Sequence, residues 1–448
     1  AAHVKVASGA KVTTAAAHGL VGTWVIDPQD LTVAASGGDE TGAQLGTALD
    51  STNVQLESSA GANSGSGNVN IDDTVTWSAN TTLTLTASND VDVNASVTAT
   101  GAGTGLVINP NTVNGAETAS GTGTFNLAPG ASINLPNVSA SSTSALIIGG
   151  QAYTVINSLG AAGSTTGADL QGINGNPSGY YALGSDIDAS ATASWNGGAG
   201  FTPIGNSSTP FTGTLNGLGH TIAGLTIQLP GSDDVGLFGF SSGAIQSVGL
   251  TGAAVTGGAY SVGGLVGLNH GAISNSYVTG IVTASLNSTG GLAGRNYGTI
   301  SGSHMDGTVN AVDNVGGLAG LNSGTIIDSY ATGRVTGDYD VGGLVGDSSS
   351  GTIDDSYATS TAQGINNIGG LVGYNRQTIE YSYSTGSATA SGSNVGGLLG
   401  ANYGTVSNSF WNETTSGMTS SHGGTGLTTA QMQTAANFIG FNFTATPG

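Results

Sequence analysis

The chain has 448 residues, of which 79 are glycine, 38% are hydrophobic and only 7% are charged; it has side chains for a core but too much glycine for many long helices. Five basic residues stand against 26 acidic ones, a net charge of −21, so nucleic acid and anionic membranes are poor partners. Cysteine is absent, which excludes disulfides and thiolate metal sites, and no apolar run reaches the ~20 residues that span a bilayer.

Residues 1 to 150 are dominated by short alternating pairs: Val54 and Leu56, Val69 and Ile71, Val75 and Trp77, Leu83 and Leu85, Val91 and Val93. Period-two alternation predicts half-buried strands, and the absence of helical crossovers between most of them argues against βαβ units. The exception is GAQLGTAL, where Thr41 followed by Gln44 has capping-box spacing and predicts a short helix at 42–49 as a surface decoration. The phrases GTWVIDPQDLTVAASGGD and SGNVNIDDTVTWSANTTLTLTASNDVDVNASVTATG resemble the body of filamentous-haemagglutinin-type exoproteins, the two-partner-secretion adhesins of Gram-negative bacteria. That resemblance implies an extracellular or cell-surface location on a Gram-negative bacterium and an outer-membrane secretion partner. Composition points outward too, being rich in Ser, Thr, Asn and Gly with almost no lysine. Beginning at Ala1 without a basic and apolar leader, the sequence reads as a processed or excised piece.

Residues 151 to 234 include ADLQGINGNPSGYYALGSDIDAS and GFTPIGNSSTPFTGTLNGLGHTIAGLTI, similar to the lead-in that precedes GLUG-motif repeats. Tyr181, Phe201, Ile204, Phe211, Leu215, Ile222 and Leu225 supply bulk for wider, less regular coils. His220 has no second histidine or paired carboxylate nearby in sequence and reads as a turn-stabilising residue. Asp186 and Asp188 mark where an acidic cluster outside the repeat register would lie.

From residue 235 to 411 one phrase returns, written VGGLVGLN at 262 to 269. Its leucine recurs as Leu237, Leu265, Leu292, Leu318, Leu344, Leu371 and Leu398, in steps of 26 to 28 residues. An aromatic series, Tyr277, His304, Tyr330, Tyr357, Tyr383 and Phe410, keeps the same beat. Each repeat resembles the GLUG motif. About 26–27 residues per repeat predict one coil of an all-β parallel β-helix (β-solenoid), expected to be right-handed, with three short strands and three turns per coil. The leucines and the aromatics are expected to stack as inward ladders. Asn269, Asn296, Asn322, Asn375 and Asn402 lie four positions after the leucine, with Ser348 in the odd slot, and predict coil-to-coil amide hydrogen bonds. Four positions before the leucine stand Ser261, Ser288, Asn314, Asp340, Asn367 and Asn394, a polar turn slot. His304 reads as a substitute in the aromatic ladder.

The slot five after the leucine varies: His270, Tyr297, Ser323, Ser349, Arg376 and Tyr403. On stacked coils His270 neighbours Tyr297 and Arg376 neighbours Tyr403, which reads first as a run of tolerated turn residues and, as the alternative, as two small surface patches suited to sugar rings. No catalytic set, metal or cofactor is expected. The chain lacks HExxH, the EF-hand loop and the GGxGxD repeat, and its aspartates and arginines fall in differing slots. Residues 412 to 448 predict a carboxyl-terminal cap, with Thr428 and Gln431 opening a short helix at 429–437. No comparable cap is evident at the amino terminus.

Four segments result: a haemagglutinin-like body (1–150), an irregular lead-in (151–234), the GLUG array (235–411) and the cap (412–448). The expected function is an extracellular adhesin or matrix protein of the biofilm type, not an enzyme, attaching to a glycan or to a host or neighbouring cell-surface receptor. The alternative is a filament or sheath subunit self-associating end to end; a polysaccharide-active enzyme ranks below both.

Overall fold

The computed structural model describes Val6, Thr14 and residues 22–26, 28, 30–58, 65–113, 116–117, 123–142 and 144–441. The fold is nearly all β, 46% strand and 8% helix, in a parallel β-solenoid of about 14 turns. Two compact units divide it: Ala1–Asn157 with Tyr180–Asp186 and Gly217–His220, and Ser158–Gly179 with Ile187–Asn216 and Thr221–Gly448.

In the first unit the alternating Val, Leu, Ile and Trp residues named above are all at most 1% exposed, as a pleated strand with one buried face requires. Coils have three strands. Val54 pairs with Leu83 and Leu83 with Leu106 on one face, Val69 with Val91 on the next, and Val75 with Val97 on the third. The helix α1 (Gly42–Leu49) opens with the Thr41–Gln44 capping box, but it is no surface decoration. Leu45 and Leu49 are completely buried, and Gly42 and Gly46 lie so close to the carbonyls of Thr74 and Thr76 that a Cβ would collide. The helix thus covers the edge strand Val75–Trp77 of the third sheet, which corrects, for this edge, the expectation of an uncapped amino-terminal end. Just before it, Glu40 is buried. Among the described residues neither of its carboxylate oxygens has a hydrogen-bond partner, and burial pushes its carboxyl up from 4.5 to about 7.

From Val262 onward, coils of the second unit have four strands, not three. In one coil they are Val262–Gly263, Val266–Asn269, Ala272–Ser274 and Tyr277–Thr283, here called first to fourth. The extra strand comes from the glycines of VGGLVG. A Cβ on Gly290 would strike Ala293 O, Ala319 Cα and Gly320 N, and one on Gly320 would strike Thr289 N and Ser288 C. A first strand therefore lies backbone to backbone against the second strand of the next coil, a distance no side chain permits. The polar turn slot is explained by conformation. Ser261, Ser288, Asn314, Asp340, Asn367 and Asn394 all sit at φ 49 to 60°, the left-handed region that Asn and Asp tolerate best after glycine.

All seven repeat leucines, from Leu237 to Leu398, are 0% exposed. Beside them, Asn269 Nδ2 donates to Asn296 Oδ1, Asn296 to Asn322 and Asn375 to Asn402, each at 2.8 Å. Ser348 interrupts this ladder; it is fully buried, and its Oγ has no partner among the described residues. A second buried ladder went unread in the sequence: the serine that precedes each aromatic. The Oγ of Ser276, Ser303, Ser329, Ser356 and Ser382 donates at 2.7 to 2.8 Å to the carbonyl two residues back. The same oxygens accept, at 3.1 to 3.2 Å, the backbone N–H of the matching position one coil earlier.

The aromatic series does not point inward. Tyr277, His304, Tyr330, Tyr357 and Tyr383 are half-buried on the outside of the fourth sheet. The inward position belongs to the following residue, Val278, Met305, Ala331, Ala358, Ser384 and Trp411. At the carboxyl-terminal end, Leu399 N donates to Ser421 Oγ at 2.9 Å, Thr425–Leu427 pairs with Phe410–Asn412, and Phe438 packs edge-on against Phe410. These contacts satisfy and cover the last coil. The Thr428–Gln431 capping box opens α2 (Thr429–Met432), shorter than the 429–437 span expected, with a 3₁₀ turn at Ala435–Asn437.

Two outcomes test this account. Ser348→Asn should complete the amide ladder between Asn322 and Asn375 and stabilise the chain by about 1 kcal/mol; a lower melting temperature for this variant would sink the ladder reading. Because Glu40 binds its proton more tightly when folded, stability should fall as pH rises from near 4.5 through 7 and then level. Glu40→Gln should abolish that fall, a difference of about 3 kcal/mol at pH 8 measured by denaturant titration.

Candidate functional site

Most aromatic faces in the array are consumed by the fold. Along the fourth sheet the rings of Tyr277, His304, Tyr330, Tyr357 and Tyr383 stack at 5.0, 4.5, 4.8 and 5.0 Å with interplanar angles of 4 to 5°. Parallel pairing of identical slots dictates this spacing, since each ring sits one strand separation from the next. Gly249 lies flat beneath Tyr277, and Phe438 meets Tyr383 and Phe410 at the other end. Burial pushes the Tyr357 hydroxyl up to about 12, with Tyr383 and Tyr330 adding to the effect. Burial likewise lowers the His304 pKa, partly offset by Asp306, which favours a neutral imidazole within the stack. This ladder offers hydroxyl tips to solvent, not ring faces, and is structural.

The second sheet differs. Its strand ends run into the variable slot, whose backbone stays in register: Tyr297 N donates to Asn269 O, Ser323 N to Asn296 O, Ser349 N to Asn322 O, Arg376 N to Ser348 O and Tyr403 N to Asn375 O. His270 and Tyr297 are exposed and stack at 4.9 Å, and Phe240 extends the stack behind His270 at 5.1 Å. Two coils, those of Ser323 and Ser349, lie between the first cluster and the second. There Tyr403, 75% exposed, stacks on Tyr374 at 5.2 Å. Arg376 does not engage Tyr403 directly; its guanidinium lies 4.3 Å over the Tyr374 ring and 3.3 Å from Asp347 Oδ2.

The slot thus reads ring, ring, serine, serine, guanidinium, ring. Tyr297 and Arg376 stand three coils apart, roughly 14 Å at the ~4.8 Å spacing of parallel strands, and Ser323 and Ser349 floor the notch between them. A platform of exposed rings beside hydroxyls and one planar donor suits the alternating apolar faces and hydroxyl edges of a carbohydrate. Sequence reading missed Phe240 and Tyr374, which occupy the slot three after the leucine; an outward period-two position next to the variable one was the available signal.

Acidic groups gather beside the notch. Asp340 accepts from Asn367 Nδ2 at 2.7 Å, and burial raises its carboxyl to about 6, with Asp313 and Asp347 adding to the rise. Asp347 is also raised by burial, against the opposing pull of Arg376. Elsewhere, the chain fold supplies His220 with a carboxylate that linear sequence did not reveal: Nδ1 lies 3.3 Å from Asp186 Oδ1 and Nε2 lies 3.0 Å from Ile133 O. Both ring nitrogens face acceptors, and the histidine is 4% exposed, a pinning arrangement. Asp188 accepts from Ser190 N at 2.9 Å. Among the described residues no group of three or more His, Cys, Asp or Glu is placed to hold a metal ion.

Fold and repeats define a β-solenoid repeat protein with GLUG repeats. The family described as "The GLUG motif" matches residues 258–283 and 313–336. A region is 45% identical over 128 residues to halomucin of Haloquadratum walsbyi, covering 26% of this chain and 1% of that protein. Another comparison gives 33% identity over 145 residues with the "Putative Gly-rich membrane protein" of Evansella cellulosilytica, 28% of this chain and 17% of that protein. The chain therefore spans a small part of either relative. A solved structure described as a putative immunoglobulin A1 protease from Bacteroides ovatus aligns with TM-score 0.37 and 18% identity over 59% of this chain and 81% of that one.

The distinction between the two aromatic rows is measurable. Tyr357→Ala removes two ring contacts and partial burial and should cost about 2–3 kcal/mol, whereas Tyr403→Ala, largely exposed, should stay within about 0.5 kcal/mol. Equal losses in thermal denaturation would contradict the assignment.

Proposed function

We infer that this chain is part of an extracellular surface protein in which a stiff, sparsely charged solenoid presents the ring and serine row of the second sheet to glycans on a neighbouring surface. The observation that carries this reading is the contrast between the two rows. Rings of the fourth sheet are covered face to face, while His270, Tyr297 and Tyr403 stay exposed on equally rigid backbone. Aromatic groups exposed in one repeat slot are the usual mark of a binding surface. Support for a surface role comes from the likeness to a halomucin and a Gly-rich membrane protein, and from composition. No helix of the described residues is long and apolar enough to cross a membrane. An outer-membrane secretion partner and a Gram-negative source follow only from the filamentous-haemagglutinin likeness of the amino-terminal phrases. A non-enzymatic role fits the use of His220, Asp188 and Arg376 in internal contacts.

End-to-end polymerisation is the weaker reading, because α1 covers one edge of the first unit and the tail after Trp411 covers the last coil.

On a glycan array the chain should bind a restricted set of oligosaccharides, and Tyr297→Ala with Tyr403→Ala should weaken that binding at least tenfold without lowering the melting temperature. Unchanged binding by the double variant would falsify the site. Electron microscopy over a concentration series should show single particles throughout; fibres with a subunit-length repeat would favour the polymer.

A further inference from the structure

Outside the repeat array, the second unit holds a cavity of about 340 Å³ between the loops 163–177 and 202–209, at the small end of ligand-pocket volumes. Its lining contains no titratable side chain. Pro177 and Pro203 contribute apolar walls, and Thr165, Asn206 and Thr209 contribute polar ones.

The walls are tied together by amides that bridge the two loops. Gln171 Nε2 donates to Thr202 O and Gln171 Oε1 accepts from Thr202 N, both at 3.0 Å. Asn174 Nδ2 donates to Pro203 O at 3.2 Å, and Asn174 Oδ1 accepts from Gly205 N at 3.0 Å. Four such bonds hold the cavity open in a defined shape, the preorganisation that small-ligand sites need. The neighbouring carboxylate, Asp169, is turned to local use, accepting from Ser164 Oγ at 2.8 Å, Thr166 Oγ1 at 2.6 Å and Gly172 N at 2.7 Å. By contrast, the hydroxyls of Thr165 and Thr209 and the Nδ2 of Asn206, all on the lining, have no protein hydrogen-bond partner among the described residues.

We propose that this cavity is a binding site for a neutral sugar of one or two rings. An anionic ligand would enter without a counter-charge and lose its hydration uncompensated, a cationic one would find the nearby Asp169 carboxylate already committed to three donors, and a purely apolar one would leave the lining hydroxyls and amide without water or a partner. A pyranose has C–H faces for the two prolines and hydroxyl edges for the two threonines and Asn206. This site is separate from the notch at Tyr297 and Arg376, and its occupation does not depend on that reading.

Saturation-transfer difference NMR on the full chain, with glucose, galactose, N-acetylglucosamine, glucuronate and glucosamine as probes, tests the assignment. At least one neutral sugar should show transfer, with glucuronate and glucosamine at least about tenfold weaker. Thr165→Trp and Thr209→Trp, at exposed rim positions, should each fill the cavity and weaken the signal at least tenfold with an unchanged melting temperature. Tyr297→Ala should leave the signal intact, which separates this site from the array. No transfer from any neutral sugar, equal transfer from the charged ones, or transfer that survives both tryptophan variants would overturn the proposal.

Discussion

Parallel backbone pairing from coil to coil is the constraint on which the array depends. Each residue hydrogen-bonds to its own slot one coil away, so a conformation adopted once must be adopted in every coil. That requirement, more than burial, explains the repeated phrase. Left-handed corners recur at Ser261, Ser288, Asn314, Asp340, Asn367 and Asn394, so each of these positions is polar and short. Backbone-to-backbone packing recurs at Gly290 and Gly320, so glycine recurs there too. Stacking of identical slots also converts weak local contacts into ladders of amide, serine and aromatic groups, in which interior members have a partner on both sides except where Ser348 breaks the amide row.

The parts of the fold visible in the sequence were those with a one-to-one relation between slot and environment. A leucine every 26 to 28 residues has one reading, and the asparagine slot nearly so. Strand number was not legible, because VGGLVG carries too few side chains to show alternation. The direction of the aromatic row was misread for a related reason. Tyr277 and Val278 alternate across the sheet, and hydrophobicity alone favours sending the larger ring inward, but the small interior accepts Val278, Ala331 and Ala358 while rings stack outside. The buried serine ladder was present in the spelling, one serine before every aromatic, yet serine carries no burial signal until its backbone partners are known. His220 and Asp186 meet only through the winding of the chain.

Low charge follows from the same architecture. A solenoid brings equal slots within about 4.8 Å, so a charge written into a repeat would stand beside copies of itself and repel them. Polar but neutral ladders avoid that cost, and where carboxylates do approach, as at Asp313, Asp340 and Asp347, burial and mutual repulsion raise the pKa of Asp340 to about 6. Recognition by such a surface has to rely on rings, hydroxyls and amides, with few point charges.

Several departures from the repeat fall close together. Ser348 replaces asparagine in the amide ladder, an extra residue enters the DSSSG turn, and Gln377 stands where neighbouring coils have Gly271, Gly298, Gly324 and Gly404. The Gln377 amide then donates to Ser349 O at 3.1 Å, and Arg376 pairs with Asp347 at 3.3 Å. All of these fall within two adjacent coils, and those coils form the floor and one wall of the notch. Each local conflict with the ladder lowers stability without a compensating contact in the fold. Ser348 is such a conflict, a buried hydroxyl with no partner among the described residues, set in the amide ladder. Local rules are broken where function competes with stability, and under the proposed glycan-binding reading these exceptions fall on the face to which that proposal assigns recognition.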